Sequence, residues 1–227
     1  IDKANFNFLD TENKNNIIHI KKKTDYDYLV KGTSFNANSL ISNLIRSDIQ
    51  NKNDIFEKSF NLEINIDKVY LDKIHSVKNL EGRLKIKNNS VEDANILAFY
   101  NDAKNISITI RTTDQGNKIT TIFSSIAKPL VSRYKFIKGF KDDKDGFLDF
   151  YSSKKNGISK SKLTIDNFKV KEIPVLAKLL ALASLQGIAD LLTGEGIRFT
   201  DLEMNFTNDN KVMRIQELYA IGPAISI

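Results

Sequence analysis

The sequence predicts a mainly β fold, a long antiparallel meander with one long apolar helix over about 174–193 and one or two short helices. Three observations carry that expectation. Apolar and polar residues alternate at period two through most of the chain, as they do in strands with one buried face. Short runs rich in Asn, Asp and Gly separate the alternating segments, in the manner of hairpin turns. No strand–helix–strand alternation is present, which argues against a parallel sheet.

Taken in order, Ala4, Phe6 and Phe8 alternate with polar neighbours, Ile17, Ile18 and Ile20 follow, and Tyr26, Tyr28 and Val30 make a third run. Asn38 to Arg46 sets Leu40, Ile41, Leu44 and Ile45 on one stripe, a short amphipathic helix. The Asn51-Lys52-Asn53-Asp54 patch is the best loop between an N-terminal piece, residues 1–50, and a sheet over residues 51–227. The two are expected to form one continuous unit. Phe60, Leu62, Ile64 and Ile66 alternate with Asn61, Glu63, Asn65 and Asp67, a clean one-face pattern. Leu80, Gly82, Leu84 and Ile86 repeat it, and so do Ile106, Ile108 and Ile110. Further runs cover 147–151, 162–170, 196–206 and 211–217. The turns fall at Asn88-Asn89-Ser90, Asn101-Asp102-Ala103, Asp114 to Asn117, and Asn208-Asp209-Asn210. Ala127 to Tyr134 forms a further turn or two of helix, with Pro129 near its start.

Residues 163–199 read as strand, oily helix, glycine turn, strand. The strand holds Ile165, Phe168 and Val170, with an irregularity near Asn167. Pro174 suits a first helical turn, where its missing N–H has no partner to lose. From Val175 to Leu192 nearly every residue is Leu, Ala, Val or Ile, and Gly194-Glu195-Gly196 supplies the positive-φ freedom that ends helices. Only residues 179 to 189 lie between Lys178 and Asp190, whereas a membrane span needs about 20 apolar residues. A buried or interfacial helix is therefore expected.

The 227 residues suffice for one large or two small domains. The net charge of +6 comes from Lys scattered along the chain, with Lys21-Lys22-Lys23 the only basic run, so nucleic acid is not an expected partner. With no Cys there is no thiol nucleophile. No nucleophile elbow, phosphate loop or HExxH occurs, and His19 and His75 have no ligand-spaced companions. Asp142 to Gly146 lacks the glutamate that closes a calcium loop. Gly194-Glu195-Gly196 follows a helix and opens a strand, the reverse of a phosphate cradle. The expectation is a protein without catalytic residues, metal or cofactor. What stands out is surplus apolar area: one long helix cannot cover so many strands spaced about 4.8 Å apart. The remaining face must curl on itself, pack on a second sheet, or meet lipid.

At this stretch the chain resembles a known family. Ile173-Pro174-Val175-Leu176 through Leu179-Leu180, Ala183-Ser184-Leu185-Gln186-Gly187, and Leu191 to Phe199 look like the signature of the AsmA-like C-terminal region found in YhdP-type bacterial envelope proteins. Ala220 to Ala224, Gly32-Thr33-Ser34-Phe35 before Leu40, and Lys138-Gly139 to Leu148 are similar to flanking segments of that region. Ala127-Lys128-Pro129 departs from the family's usual small, Gly-containing helix start. The resemblance implies a periplasmic segment anchored in the inner membrane by a helix outside this chain. It implies a sheet curled into a groove or half-barrel that binds phospholipid acyl chains for transport toward the outer membrane, with no catalytic residues. The chain opens on Ile1 rather than Met, and a piece of a longer protein is expected.

On this reading Phe60, Leu62, Ile64, Leu84, Ile86, Ile106, Ile108, Ile110, Phe168 and Val170 line the groove. Leu176, Leu179, Leu180, Ala183 and Leu191 contact lipid or a partner, and Gly187, Gly194 and Gly196 make turns. The competing reading is an envelope structural or assembly module with a dry β core and a helix that docks an envelope protein. An outer-membrane barrel fits less well, given the helix and the absence of Trp.

Overall fold

A computed structural model describes residues 2–41, 59–87, 90–132, 140–142, 146–171, 189, 193–194, 196–209 and 212–223. It is mainly β. The strands are β1 (Lys3–Leu9), β2 (Asn15–Lys22), β3 (Asp27–Asn36), β4 (Phe60–Tyr70), β5 (Ser76–Lys87), β6 (Ser90–Asn101), β7 (Lys104–Thr112), β8 (Lys118–Ser124), β9 (Phe140–Asp142), β10 (Leu148–Lys155), β11 (Ile158–Val170), β12 (Ile197–Asn208) and β13 (Met213–Ile221). Helix α1 (Lys128–Val131) carries Pro129 in its first turn, within the segment predicted helical. Hydrogen-bonded order follows chain order from β1 to β8 and on through β10 to β13, with β9 beside β11 off this path.

One pairing corrects the antiparallel expectation. β3 and β4 run parallel, with Tyr28 opposite Leu62 and Val30 opposite Ile64. A parallel neighbour cannot be joined through a tight hairpin. Of the amphipathic helix predicted from Asn38 to Arg46, residues 38–41 are described and helical, with Ile41 N–H donating to Ala37 O at 2.8 Å.

The long apolar helix predicted over about 174–193 falls outside the described residues, and Leu176, Leu179, Leu180, Ala183, Gly187 and Leu191 with it. Ala189 alone is described as helical there, accepting from Thr193 N–H at 3.0 Å. Among the described residues there is no long helix, and no helix is long and apolar enough to cross a membrane. The glycine turn is observed: Gly194 and Gly196 have φ of 66° and 97°.

The chain divides into two compact units, one of Ile1–Ile122 with Ser153–Asn156, the other of Phe123–Ser152 with Gly157–Ile227. In each, an asparagine in the left-handed region interrupts a long strand: Asn79 at φ 51° in β5 and Asn167 at φ 47° in β11. Asparagine tolerates this backbone better than most residues. Beside Asn79 the buried positions step by three, from Ile66 to Val69 on β4. Beside Asn167 they step from Ile165 to Phe168, which pair with Leu202 and Phe199 of β12.

In the first unit a polar clamp fixes the β1–β2 turn against the end of β3. Asn36 Nδ2 donates to Asp10 Oδ2 at 2.7 Å and to Glu12 Oε2 at 3.0 Å, and the buried Asn16 accepts from Asn36 N–H at 2.8 Å. The Lys14 backbone N–H and these amides hold the Asp10 carboxyl at about 2. Nearby, β2 and β3 shift register between Ile17 and Ile18, and a Cβ on Gly32 would stand 2.5 Å from Ile17 O. Gly32→Ala is therefore expected to cost about 1–3 kcal/mol in urea unfolding, because backbone must move to make room.

The second unit holds a dry core. Phe168 stacks between Phe140 and Phe199, with ring centroids 5.3 and 5.2 Å away. Ile165 and Ile197 are fully buried. Next to this core Asp166 lies directly opposite Asp201. Partial burial raises the Asp166 pKa first, and the Asp201 and Asp149 charges raise it further. A carboxyl whose pKa rises on folding helps the fold at acid pH, and that help is lost as pH rises through the folded value. Asp201→Asn should accordingly stabilise the protein by about 0.2–1 kcal/mol at pH 7. Urea midpoints measured at pH 7 and pH 3 should show the gain only at pH 7.

Candidate functional site

The register of the first unit decides where the predicted groove residues lie. Phe60 pairs with Ile86, Leu62 with Leu84, and Ile64 with Gly82. Across the next two ladders Leu84 pairs with Ala94 and Ile96 with Ile108, while Ala94 faces Ile110 and Ala98 faces Ile106. Directly paired residues project to the same side of a sheet. So Phe60, Leu62, Ile64, Leu84, Ile86, Ile106, Ile108 and Ile110 all share one face.

Sequence reading left out β6, whose Ala94, Ile96 and Ala98 join the β5 set to the β7 set. It had a signal, since the turns at 88–90 and 101–103 bracket a strand-length segment. The same face continues over β3, β2 and β1 through Tyr28 and Val30, Ile20 and Ile18, and Ala4 and Phe6. A slip of one residue at any of these ladders would turn the set to the other side.

Burial along this face is graded. Near the Val69–Val77 pair it is closed: Ile66 is 4% exposed, Ala98 0% and Ile106 6%. Toward the opposite strand ends Phe60, Leu62, Ile64, Leu84, Ile86, Ile108 and Ile110 are all only half-buried. Tyr28 and Phe60 meet edge-on there at 6.0 Å. The half-open stretch from Phe60 to Ile64 presents side chains at alternate residues over about 13 Å of strand.

Phe168 and Val170, predicted in the same groove, belong to the second unit. Phe168 is 2% exposed and enclosed by its ring stack, so it is a core residue and not an open wall. Val170 is half-buried, opposite Ile197 on β12 and Phe140 on β9. Gly196 lets the chain pass close to it, since a Cβ there would meet Val170 O at 2.7 Å.

The other side of the first unit is polar, and a cleft of about 400 Å³ in this unit is lined by Lys23, Glu63, Arg83 and Lys85 and also by Tyr28, Leu62 and Leu84. Its charges engage one another. Lys23 bonds Glu63 and holds that carboxyl below the usual carboxylate range, and Asn61 Nδ2 donates to Asp27 Oδ1 at 2.8 Å. Each histidine has a local partner. His19 Nδ1 lies 2.8 Å from Asn5 Oδ1, and His75 Nδ1 lies 2.8 Å from Asp72 Oδ2. Among the described residues no group of three or more His, Asp or Glu is placed to hold a metal.

No family model, curated protein or solved structure matches the chain. The apolar face therefore stands on its geometry.

Proposed function

We propose that the half-open face of the first unit binds the acyl chains of phospholipid, and that the chain is a periplasmic segment of an AsmA-like protein held at the inner membrane. In this reading it moves lipid toward the outer membrane without doing chemistry. The observation that carries the proposal is the register. Seven side chains on β4, β5 and β7 that alternation marks as apolar lie side by side and are left only half-buried. Each methylene of an acyl chain withdrawn from water contributes about 0.8 kcal/mol, and aliphatic contacts without directional partners let a chain slide. A head group would remain in water at the open end.

The dry second unit favours the structural reading for its own part of the chain, with Ile165, Phe168, Ile197 and Phe199 all buried. Extraction of the purified protein with organic solvent, followed by mass spectrometry, separates the two readings for the first unit. Phospholipid approaching one molecule per chain is expected. Protein that is folded and free of lipid would favour a purely structural module.

A further inference from the structure

β13 ends the hydrogen-bonded order of the strands and pairs with β12 alone among the described strands, which leaves main-chain groups along its outer edge. Its sequence, Met213 to Ile221, has neither Lys nor Pro, the residues that commonly blunt a free edge. Its one cation, Arg214, is taken by Asp209 at 2.7 Å. A register shift lies between Asn205 and Phe206, and the run from Glu217 to Ile221 is regular. Side chains on the core side of this edge stay open. Leu218, opposite the buried Met204, is 43% exposed, and Ile215, opposite Phe206, is 50% exposed.

The opposite side of the same edge is acidic. Across two ladders Ile221 is in line with Asp201 and Asp166, Tyr219 with Glu203 and Thr164, and Glu217 with Asn205 and Lys162. Lys162 Nζ is 2.8 Å from Glu203 Oε2, and Asn205 Nδ2 donates to Glu217 Oε2 at 3.0 Å. Asp166 and Asp201, directly paired, have no ion-pair partner among the described residues. Like charges so placed are destabilising. A strand added along Glu217 to Ile221 would set its side chains about 4.8 Å beyond those of β13. Cations opposite Ile221 and Glu217 would offset the aspartate pair and the glutamate, and one opposite Tyr219 would meet a ring-bearing residue that is 55% exposed. Aliphatic residues between them would cover Leu218 and Ala220.

We propose that the outer edge of β13 takes up an extended segment of a partner protein as an added strand, and that this segment alternates Lys or Arg with aliphatic residues. Main-chain bonds supply the affinity, and the alternation supplies the selection. The edge belongs wholly to the second unit, and its use does not rest on the acyl-chain reading.

A fluorescein-labelled, amidated heptapeptide that alternates Lys and Val tests the edge by fluorescence anisotropy with the full chain. It is expected to bind, and the same peptide N-methylated at every residue is expected not to, because it has no main-chain donor left. A heptapeptide alternating Glu and Val should bind at least about tenfold more weakly. Joint Asp166→Asn and Asp201→Asn should weaken the Lys peptide by about threefold to tenfold. No binding of the Lys peptide, equal binding of either control peptide, or unchanged affinity in the double variant overturns the proposal. If the double variant does not fold, the two control peptides decide on the parent protein. Sedimentation equilibrium of the chain alone separates the occupants. A monomer leaves the edge to a partner, whereas a dimer that the Lys peptide dissociates gives it to a second copy and overturns the assignment.

Discussion

Phe168→Ala is expected to destabilise the protein by about 3–5 kcal/mol, the range for truncating a fully buried phenylalanine. The ring is the middle of three, tilted only 16° from Phe140 and 14° from Phe199. Its removal leaves two aromatic faces bordering a void, and each stacked pair is worth about 0.5–1.5 kcal/mol beyond its area. Relaxation is hindered on both sides, since Phe199 is held in the β11–β12 ladder and Phe140 in the β9–β11 ladder. Phe168→Leu should recover about half of the loss, because it restores volume but not the stack. Phe206→Ala, at a half-buried ring on the same β12, should cost clearly less. Urea unfolding of the three variants measures the order.

Ile108→Asp is expected to remove bound lipid while leaving the protein folded. The side chain is half-buried opposite Ile96, so water reaches an introduced carboxylate and its desolvation penalty is only partial. An acyl chain lying across the same spot loses an aliphatic contact and meets a charge. A deficit above about 1.4 kcal/mol lowers affinity more than tenfold. Ile106→Asp is the counterpart: two residues along the same strand face, 6% exposed, it should unfold the first unit. Lipid recovered per chain and the circular dichroism melt, measured on both variants, check the pair. Unfolding by Ile108→Asp would mean that the face is closed along its whole length.

The contrast between Phe168 and Ile108 marks the limit of sequence reading here. Period-two alternation located both, and their inward orientation was legible. What covers each was not, because the cover comes from elsewhere in the chain. Phe168 meets Phe140 across residues with no periodic link to it, while Ile108, opposite Ile96, is left half-buried. Alternation is also blind to strand direction, so the parallel β3–β4 pair could not be read from Tyr28 and Leu62. The irregularity at Asn167 was legible because its neighbours break the two-residue rhythm. β6 was passed over because Ala94 and Ala98 carry little hydrophobic signal, though they join two halves of the face.

The central claim is that one side of the first unit, and not the other, touches acyl chains. Photo-crosslinking tests it most directly. A benzophenone amino acid placed singly at Leu62, Leu84 or Ile108, and at Glu63, Arg83 or Thr109 as opposite-face controls, is irradiated in bacterial cells that express the protein, and adducts are read by mass spectrometry. Lipid adducts at the first three positions and none at the controls are predicted. Equal labelling on both faces, or none on either, would contradict it.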